Sequence, residues 1–213
     1  MTENDARSFV NARTNAVGLG KLERLVDLLA EENSAQNLVS ADSFEIVWNR
    51  HIADSAQLID HVPRETGIWL DLGSGAGFPG LVIAVMRPKM QVHLVESRAK
   101  RADWLSSAIA ALEVDNCQVD HCRLERLDPI EAEVISARAF APLDKLLRLS
   151  AGFSTDTTTW VLPKGRSAEQ ELCELPSSVQ RMFHVKQSAT DEAAAVLVGF
   201  GKPSVLGQKG ATR

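Results

Sequence analysis

The stretch IWLDLGSGAGFPG, residues 68–80, decides the fold. It opens with a short apolar run of the kind found in strands that are buried on both faces of a parallel sheet. A glycine-rich turn follows, in which the backbone can reverse tightly and approach a ligand with no Cβ in the way. Pro79 suits the first turn of a helix, where a missing N–H costs little. The sequence therefore predicts a strand, a ligand-binding loop and a helix in succession.

Two nucleotide-binding patterns fit this loop. Counted from Gly73 it is G-x-G-x-G, typical of S-adenosylmethionine (SAM) methyltransferases, and counted from Gly75 it is G-x-G-x-x-G, the dinucleotide pattern. The apolar run ends at Leu72, so the turn begins at Gly73, and in that frame a dinucleotide site would need glycine where the chain has Phe78. We therefore favour SAM, held by the first glycine set, Gly73, Gly75 and Gly77. The alternative is an NAD-dependent oxidoreductase that uses the second set, Gly75, Gly77 and Gly80.

Two carboxylates near the loop are candidates for cofactor binding. Glu96 closes a predicted second strand and lies 19 residues after Gly77, where a carboxylate can accept both ribose hydroxyls of either NAD or SAM. Asp71 lies inside the apolar run, and a buried carboxylate needs a partner. The cationic groups of SAM would provide one and backbone N–H groups of the loop another, and both can act together. A pyrophosphate beside Asp71 would be repelled.

The remaining pattern predicts a doubly wound α/β fold. Helical spacing covers residues 20–32, 42–59, 98–112 and 142–150. Strands are expected at 68–72, 91–97, from 117 onward, 133–140, 157–165, 181–188 and 193–200. The last two are too close for a parallel crossover and should form an antiparallel hairpin. Such a sheet resembles the mostly parallel, seven-stranded, Rossmann-like sheet of class I SAM-dependent methyltransferases, with residues 1–66 as a helical extension and 67–213 as the SAM-binding domain.

Charge, hydropathy and cysteine content limit the partners, the cellular location and the metal content that we expect. The 213 residues carry a net charge of −5, all of it within residues 1–66, so an RNA partner would need a local basic patch. No stretch approaches the roughly 18 apolar residues of a membrane span, and the N-terminus lacks a signal-peptide pattern, so we expect a cytoplasmic protein, with no membrane partner. Three cysteines without C-x-x-C spacing are expected to be packing residues, and we expect no metal. They are Cys117, Cys122 and Cys173.

Eight stretches together resemble the RsmG family, also called GidB. They are NLVS (37–40), NRHIADS (49–55), DLGSGAGFPG (71–80), LVES (94–97), KR (100–101), SARAFAPL (136–143), LPKG (162–165) and HVKQSATD (184–191). The glycine loop alone would suit many methyltransferases, whereas RHIADS and SARAF are far more specific. The resemblance implies a bacterial SAM-dependent methyltransferase that modifies N7 of a guanine in the 530-loop region of 16S ribosomal RNA. The expected partner is 16S RNA or the small ribosomal subunit, and we expect a monomer.

The resemblance also implies roles for individual residues. Gly73 and Phe78 would line the SAM site and Glu96 would hold the ribose, although the family more often has leucine at position 78 and aspartate at position 96. Leu124 and Glu125 would flank the adenine. Arg138 of SARAF would close the methionine end of the cofactor.

Guanine N7 carries an in-plane lone pair in the neutral base, so the implied reaction needs no general base, and the task of the enzyme is alignment. We therefore expect Arg138 and Lys164, near the ends of the fourth and fifth predicted strands, to position the reactants. The expected RNA contacts are Lys100, Arg101, Arg123, Lys164 and Arg166. His51 and Asp54 either cover the pocket or cap and pack their helix. A non-catalytic RNA- or partner-binding module is a third functional hypothesis.

Overall fold

Strands and helices alternate from residue 67 onward in the computed structural model, which describes residues 1–62 and 67–204. The strands are β1 (Gly67–Leu72), β2 (Met90–Val95), β3 (Cys117–Asp120), β4 (Ala132–Ala137), β5 (Ser154–Lys164), β6 (Phe183–Gln187) and β7 (Ala195–Phe200). They form one sheet in the order β3-β2-β1-β4-β5-β7-β6. The first five strands pair in parallel, and β7 pairs antiparallel with both β5 and β6. The predicted sheet with its terminal hairpin is confirmed.

Helices follow the parallel strands β1, β2, β4 and β5. They are α5 (Gly80–Met86), α6 (Ala99–Ala111), α7 (Leu143–Ser150), α8 (Ala168–Cys173) and α9 (Ser177–Gln180). Between β3 and β4 a single 3-10 turn, Leu124–Arg126, stands in place of a full helix, so this side of the β3 end stays open. The strand order reverses at β1, which lies between β2 and β4. Open α/β sheets bind their ligands at such a reversal, beyond the carboxyl ends of the strands.

The N-terminal part is helical, as predicted, but its elements differ from the expected ones. They are α1 (Glu3–Asn11), α2 (Ala16–Asn33), α3 (Ala41–Glu45), a π-helical segment (Trp48–Ala53), α4 (Asp54–Ala56) and a 3-10 helix (Gln57–His61). The single helix expected over residues 42–59 is wrong, because the Glu3 carboxylate accepts the N–H groups of Trp48 (3.0 Å) and Asn49 (2.8 Å). A continuous α-helix would direct those N–H groups to its own carbonyls. Sequence analysis assigned no structure to α1.

Residues of the N-terminal part and of the sheet share one hydrophobic core. Leu22, Leu25 and Ile52 belong to the same buried cluster as Leu81 and Val92. The predicted division at residues 66 and 67 stays a prediction, and residues 63–66 lie outside the described ranges. The tryptophans Trp48, Trp69 and Trp160 are buried core residues that are at most 5% exposed.

The glycine loop between β1 and α5 needs its glycines for two reasons. Gly73, Gly75 and Gly77 adopt left-handed φ angles of 67°, 59° and 102°, which side chains other than glycine rarely tolerate. Gly80 instead lies in the first turn of α5, where an added Cβ would collide with Leu94 and lie 2.8 Å from Asp71 Oδ2. Gly80 thus belongs to the helix behind the loop, and its missing side chain lets α5 approach the sheet.

The N-terminal part is joined to the sheet by a buried polar network. His51 Nδ1 lies 2.9 Å from the Arg138 guanidinium, and its Nε2 lies 3.2 Å from Ser43 Oγ. A guanidinium only donates hydrogen bonds, so Nδ1 accepts and the proton of the neutral imidazole is on Nε2. The His51 ring also stacks on Phe78 at 4.9 Å between centroids. Burial, followed by the charges of Arg138 and Arg50, lowers the pKa of His51 to about 3.

Further hydrogen bonds extend this network to the loop that joins β6 and β7. Asp54 Oδ1 accepts from Gln57 Nε2 (2.9 Å) and from Thr190 Oγ1 (3.1 Å). Gln57 Oε1 accepts the N–H of Ala189 at 2.8 Å. The NRHIADS stretch therefore contacts both SARAF, through Arg138, and the SATD end of the tail motif. His51 and Asp54 pack their segment onto the sheet, and Asp54 also lines a cavity described below.

We expect Gly80→Ala to destabilise the protein by roughly 1–3 kcal/mol, because the methyl group forces α5 away from β1 and β2. Gly20→Ala is the matched control, since a Cβ at Gly20 in α2 meets no atom within 4 Å. It should raise stability by roughly 0.5–1 kcal/mol through helix propensity. Urea midpoints of the two variants measure both effects. A Gly80→Ala protein as stable as the wild type would contradict the close approach.

We also expect His51 to make stability depend on pH. Its folded pKa of about 3 lies below the unfolded value of about 6.5. The unfolded chain therefore binds more protons between these values, and the stability that neutral His51 contributes is complete above about pH 6.5 and is lost as the pH falls. His51→Gln, which keeps an acceptor for Arg138, should show a smaller fall in unfolding free energy between about pH 7.5 and about pH 5.

Urea unfolding at the two pH values measures this difference. The control is His184→Gln, which removes an exposed imidazole on β6. Its unfolding free energy should fall as steeply between the two pH values as that of the wild type. An equal fall for wild type and His51→Gln would show that His51 is not held neutral.

Candidate functional site

Two cavities meet beyond the carboxyl ends of β1, β2, β4 and β5. The smaller, of about 420 Å³, is lined by Gly73, Glu96 and Leu124 among others. The larger, of about 780 Å³, is lined by residues that include Arg138 and Lys164. Residues 139–141 of the SARAF stretch line both cavities and separate them. This arrangement offers adjoining sites for two ligands at the strand reversal.

The glycine loop and Glu96 form one wall of the smaller cavity. Glu96 Oε2 accepts the N–H of Gly75 at 3.0 Å, and its Oε1 accepts the N–H of Arg98 at 2.8 Å. A carboxylate can accept about four hydrogen bonds, so two positions remain for hydroxyl groups of a ligand. Glu96 is thus held in place before any ligand arrives, at the end of the strand where a ribose would be bound.

Asp71 lies beneath the loop and lines neither cavity. Its Oδ1 accepts from Ser136 Oγ at 2.7 Å, and its Oδ2 accepts from the N–H of Gly80 at 3.1 Å. Trp69 Nε1 donates in turn to Ser136 Oγ at 2.8 Å. Burial raises the pKa of Asp71, and these hydrogen bonds oppose that shift. A loop N–H group is therefore one partner of Asp71, and its direct contact with SAM stays a prediction.

The other end of the smaller cavity has an apolar floor and a basic rim. Leu124, which is buried, and Glu125, which is exposed, come from the 3-10 turn after β3. Four cations line the cavity, and two of them, Arg101 and Arg123, were predicted to contact RNA. The four are Arg98, Arg101, Arg123 and Lys145.

The other three predicted RNA contacts lie elsewhere, and Lys164 among them lines the larger cavity. Lys100 is exposed, and it lines a shallow depression beside Gln36, which follows α2. Arg166 is exposed and follows Gly165, which lines the larger cavity. The predicted RNA-binding residues are therefore not one patch.

Arg138 extends from the end of β4 toward the N-terminal part. Its guanidinium donates to Asp54 Oδ2 (3.3 Å), to the carbonyl of Arg50 (3.1 Å) and to His51 Nδ1 (2.9 Å). It also lies 5.3 Å from the centroid of the Phe78 ring. Phe78 is only 3% exposed and lines neither cavity. Its role as a wall of the SAM site stays a prediction, and its observed contacts are with Arg138 and His51.

Lys164 is likewise engaged within the protein. Its Nζ donates to Glu171 Oε2 at 2.7 Å and to the carbonyl of Ala141 at 3.4 Å. Glu171 also accepts the N–H of Leu143 and the hydroxyl of Ser167. Burial alone would raise the pKa of Glu171, but these hydrogen bonds outweigh it and lower the pKa. The pair fixes α8 against the loop that separates the cavities.

Phe140 is a site residue to which sequence analysis gave no role. It covers Gly73 so closely that a Cβ there would lie 2.6 Å from Phe140 Cδ2. Ala139 beside it has a left-handed φ of 53°, an uncommon conformation for alanine. Arg50 and Asp191, which line the larger cavity, were also not assigned. Their positions within NRHIADS and SATD were the available signal.

Among the described residues that line the larger cavity, none is a histidine or a cysteine that could accept a proton. His51 is neutral and has both ring nitrogens engaged. Burial raises the pKa of Cys117 to about 12 and also raises that of Cys122, and both residues are partly buried. Cys173 is exposed, so its predicted packing role is wrong. Within residues 1–62 and 67–204 no group of three His, Cys, Asp or Glu side chains is placed to hold a metal ion. In the same ranges, none of the helices combines the length and the apolar character that crossing a membrane requires.

Solved structures share this architecture. A mutant of MtNAS in complex with S-adenosylmethionine superimposes with a TM-score of 0.53 at 17% identity, over 91% of this chain and 80% of that chain. A predicted O-methyltransferase from Agrobacterium tumefaciens gives a TM-score of 0.56 at 16% identity, over 70% of this chain and 81% of that chain. At such identities the likeness concerns the fold alone, and it agrees with the predicted class.

Sequence comparisons show the family. The family model described as GidB, rRNA small subunit methyltransferase G, matches residues 19–195. A protein of Erythrobacter litoralis named Ribosomal RNA small subunit methyltransferase G is 63% identical over 94% of this chain and 97% of its own length. A protein of the same name from Novosphingobium aromaticivorans is 52% identical, over 93% and 88%.

These findings confirm the predicted family and SAM as the cofactor, and they give no support to the NAD-dependent oxidoreductase. The left-handed glycines, the preset Glu96 carboxylate and the smaller cavity fit an adenosine-containing ligand. The chain belongs to the rRNA small subunit methyltransferase G family, the SAM-dependent methyltransferases of small-subunit ribosomal RNA.

Proposed function

We propose that this enzyme transfers the methyl group of SAM to N7 of a guanine in the 530-loop region of 16S ribosomal RNA. The observation that carries the proposal is the pair of cavities that adjoin at residues 139–141. The smaller cavity suits an adenosine. The larger cavity has no histidine or cysteine among the described residues that line it. A nucleophile that needs no deprotonation, such as guanine N7, suits that second cavity.

The proposed cofactor site occupies the smaller cavity. When bound, SAM supplies an electrophilic methyl group. Glu96 accepts the ribose hydroxyls through the lone pairs that Gly75 and Arg98 leave free. Leu124 provides an apolar surface for the adenine, and Glu125 lies at its edge. Gly73 lines this cavity, and its missing Cβ leaves room for Phe140, which lines both cavities.

The proposed target base occupies the larger cavity. It must leave its stack to reach the methyl group, and alignment of its N7 with the methyl carbon is the main contribution of the protein. The cavity is lined by four carboxylates, and two of them are paired, with Arg138 and Lys164. Methylation moves the positive charge of the sulfonium onto the base, so the remaining carboxylates favour the product cation. They are Glu174 and Asp191.

Arg138 and Lys164 act as positioning residues in this proposal, with no proton transfer. Arg138 closes the methionine end of the SAM site, held at its present place by Asp54 and His51. Lys164 holds the loop between the cavities through Glu171 and Ala141, and contacts RNA from there. The further RNA contacts proposed are Lys100, Arg101, Arg123 and Arg166.

The proposed setting is a cytoplasmic, metal-free monomer with a helical extension over residues 1–66 and a catalytic domain over residues 67–213. The names of the relatives support a ribosomal substrate. The Erythrobacter and Novosphingobium proteins are both named Ribosomal RNA small subunit methyltransferase G.

Glu96→Gln should weaken SAM binding by about tenfold or more, because an amide cannot replace a charged acceptor of two hydroxyl groups. Glu45→Gln is the matched control, because Glu45 is an exposed carboxylate of α3 that lines neither cavity, and its SAM affinity should stay within about threefold of the wild type. Calorimetric titration with SAM measures both variants, and thermal unfolding confirms that each is folded. Unchanged affinity in Glu96→Gln would exclude the ribose role.

Methylation of unmodified 16S RNA assembled into 30S particles tests the reaction itself. With labelled SAM we expect one methyl group per RNA, at N7 of a guanine in the 530-loop region. Chemical cleavage at 7-methylguanine maps the position. RNA with 7-deazaguanine at that nucleotide should accept no label, because a C–H replaces the attacking N7. Label at another atom or nucleotide would contradict the proposed specificity, and thermal stabilisation by NAD instead of SAM would contradict the cofactor.

A further inference from the structure

We propose that Arg50 binds a backbone phosphate of the RNA at the mouth of the larger cavity. This inference rests on the proposed function, in which that cavity receives the target base. Three cations line the cavity, namely Arg50, Arg138 and Lys164. Sequence analysis gave roles to the second and third and none to the first.

The ion pairs around the cavity leave Arg50 as the available cation. Arg138 lies 3.3 Å from Asp54 Oδ2, and its side chain is only 18% exposed. Lys164 lies 2.7 Å from Glu171 Oε2, with 12% of its side chain exposed. A phosphate would have to displace a carboxylate from either. Arg50 is exposed, and within the described ranges its guanidinium forms no ion pair.

The backbone that carries Arg50 is fixed from three directions. Glu3 accepts the N–H groups of the two preceding residues, and the Arg50 carbonyl accepts from Arg138 at 3.1 Å. Its N–H donates to the carbonyl of Ile46 at 2.7 Å. The π-helical segment therefore presents Arg50 on an ordered backbone, and π-helical turns are frequent at functional sites. Less conformational entropy is lost on ligand binding when the backbone that carries the binding side chain is already ordered.

The charges near Arg50 limit the ligand to one phosphate. Glu174 and Asp191 also line the cavity, where Glu174 accepts from Gln170 Nε2 and Asp191 from the N–H of Ala193. These carboxylates would repel a polyphosphate or a run of phosphates. A single phosphodiester can place its negative charge at Arg50. The neutral, unstacked base next to it then lies among the carboxylates. An arginine suits this ligand because its planar fork matches phosphate oxygens.

The experiment measures RNA binding and methylation by Arg50→Gln with 30S particles over a range of salt concentrations. We expect the Kd and the KM for the particle to rise about tenfold at moderate salt. The slope of log K against log salt should become shallower by about one, the value for one lost phosphate contact. The KM for SAM should stay within about twofold, and Arg50→Lys should recover most of the affinity.

Arg24→Gln is the matched control. It removes one cation from α2, where Arg24 is half exposed and lies 3.8 Å from Glu31. Its Kd and salt slope should equal those of the wild type. If Arg50→Gln also equals the wild type in both, Arg50 contacts no phosphate and the inference is wrong. Failure of the proposed function is distinguishable from failure of this inference. If another nucleotide were methylated, the Kd and the salt slope of Arg50→Gln would still decide whether Arg50 contacts a phosphate.

Discussion

The cofactor loop depends on one buried carboxylate. Asp71 lies next to the last residue of β1, where the sheet reverses, and its two oxygens accept from Ser136 of β4 and from the first amide of α5. The loop between strand and helix is therefore fixed at both ends, and its three left-handed glycines follow the path that remains. Removal of the carboxylate would leave two buried donors, the Ser136 hydroxyl and the Gly80 amide, without their acceptor, which is costlier than the loss of a surface interaction.

A second constraint joins the helical N-terminal part to the reaction centre. Arg138 extends from β4 to two groups of the π-helical segment and to Asp54 of α4, so the geometry of the larger cavity depends on residues outside the sheet. Glu3 in α1 accepts two N–H groups of the same π-helical segment. The N-terminal helices therefore help to form the larger cavity, and they share a hydrophobic core with the sheet.

Sequence analysis predicted the features that arise from local patterns. The frame of the glycine loop, the seven strands and the terminal hairpin follow from hydrophobic period and turn chemistry. It failed where distant residues compete with local preference, as when Glu3 interrupts the helix expected over residues 42–59. The pairing of Lys164 with Glu171 and the burial of Phe78 against His51 were equally invisible, because both depend on tertiary contacts. Several of the residues that line the two cavities could be named from the sequence, whereas their hydrogen-bond partners could not.

The hydrogen bond between Gln57 and Ala189 has a consequence for biosynthesis. These residues are separated by 132 positions, and the second of them follows the sixth strand. The N-terminal helices emerge first from the ribosome that makes the protein, yet their polar network stays incomplete until almost the whole chain has been translated. A truncated or stalled chain thus leaves Asp54 without Thr190 and Gln57 without Ala189. The larger cavity, which Asp191 and Ala195 help to line, is complete only when synthesis is almost finished.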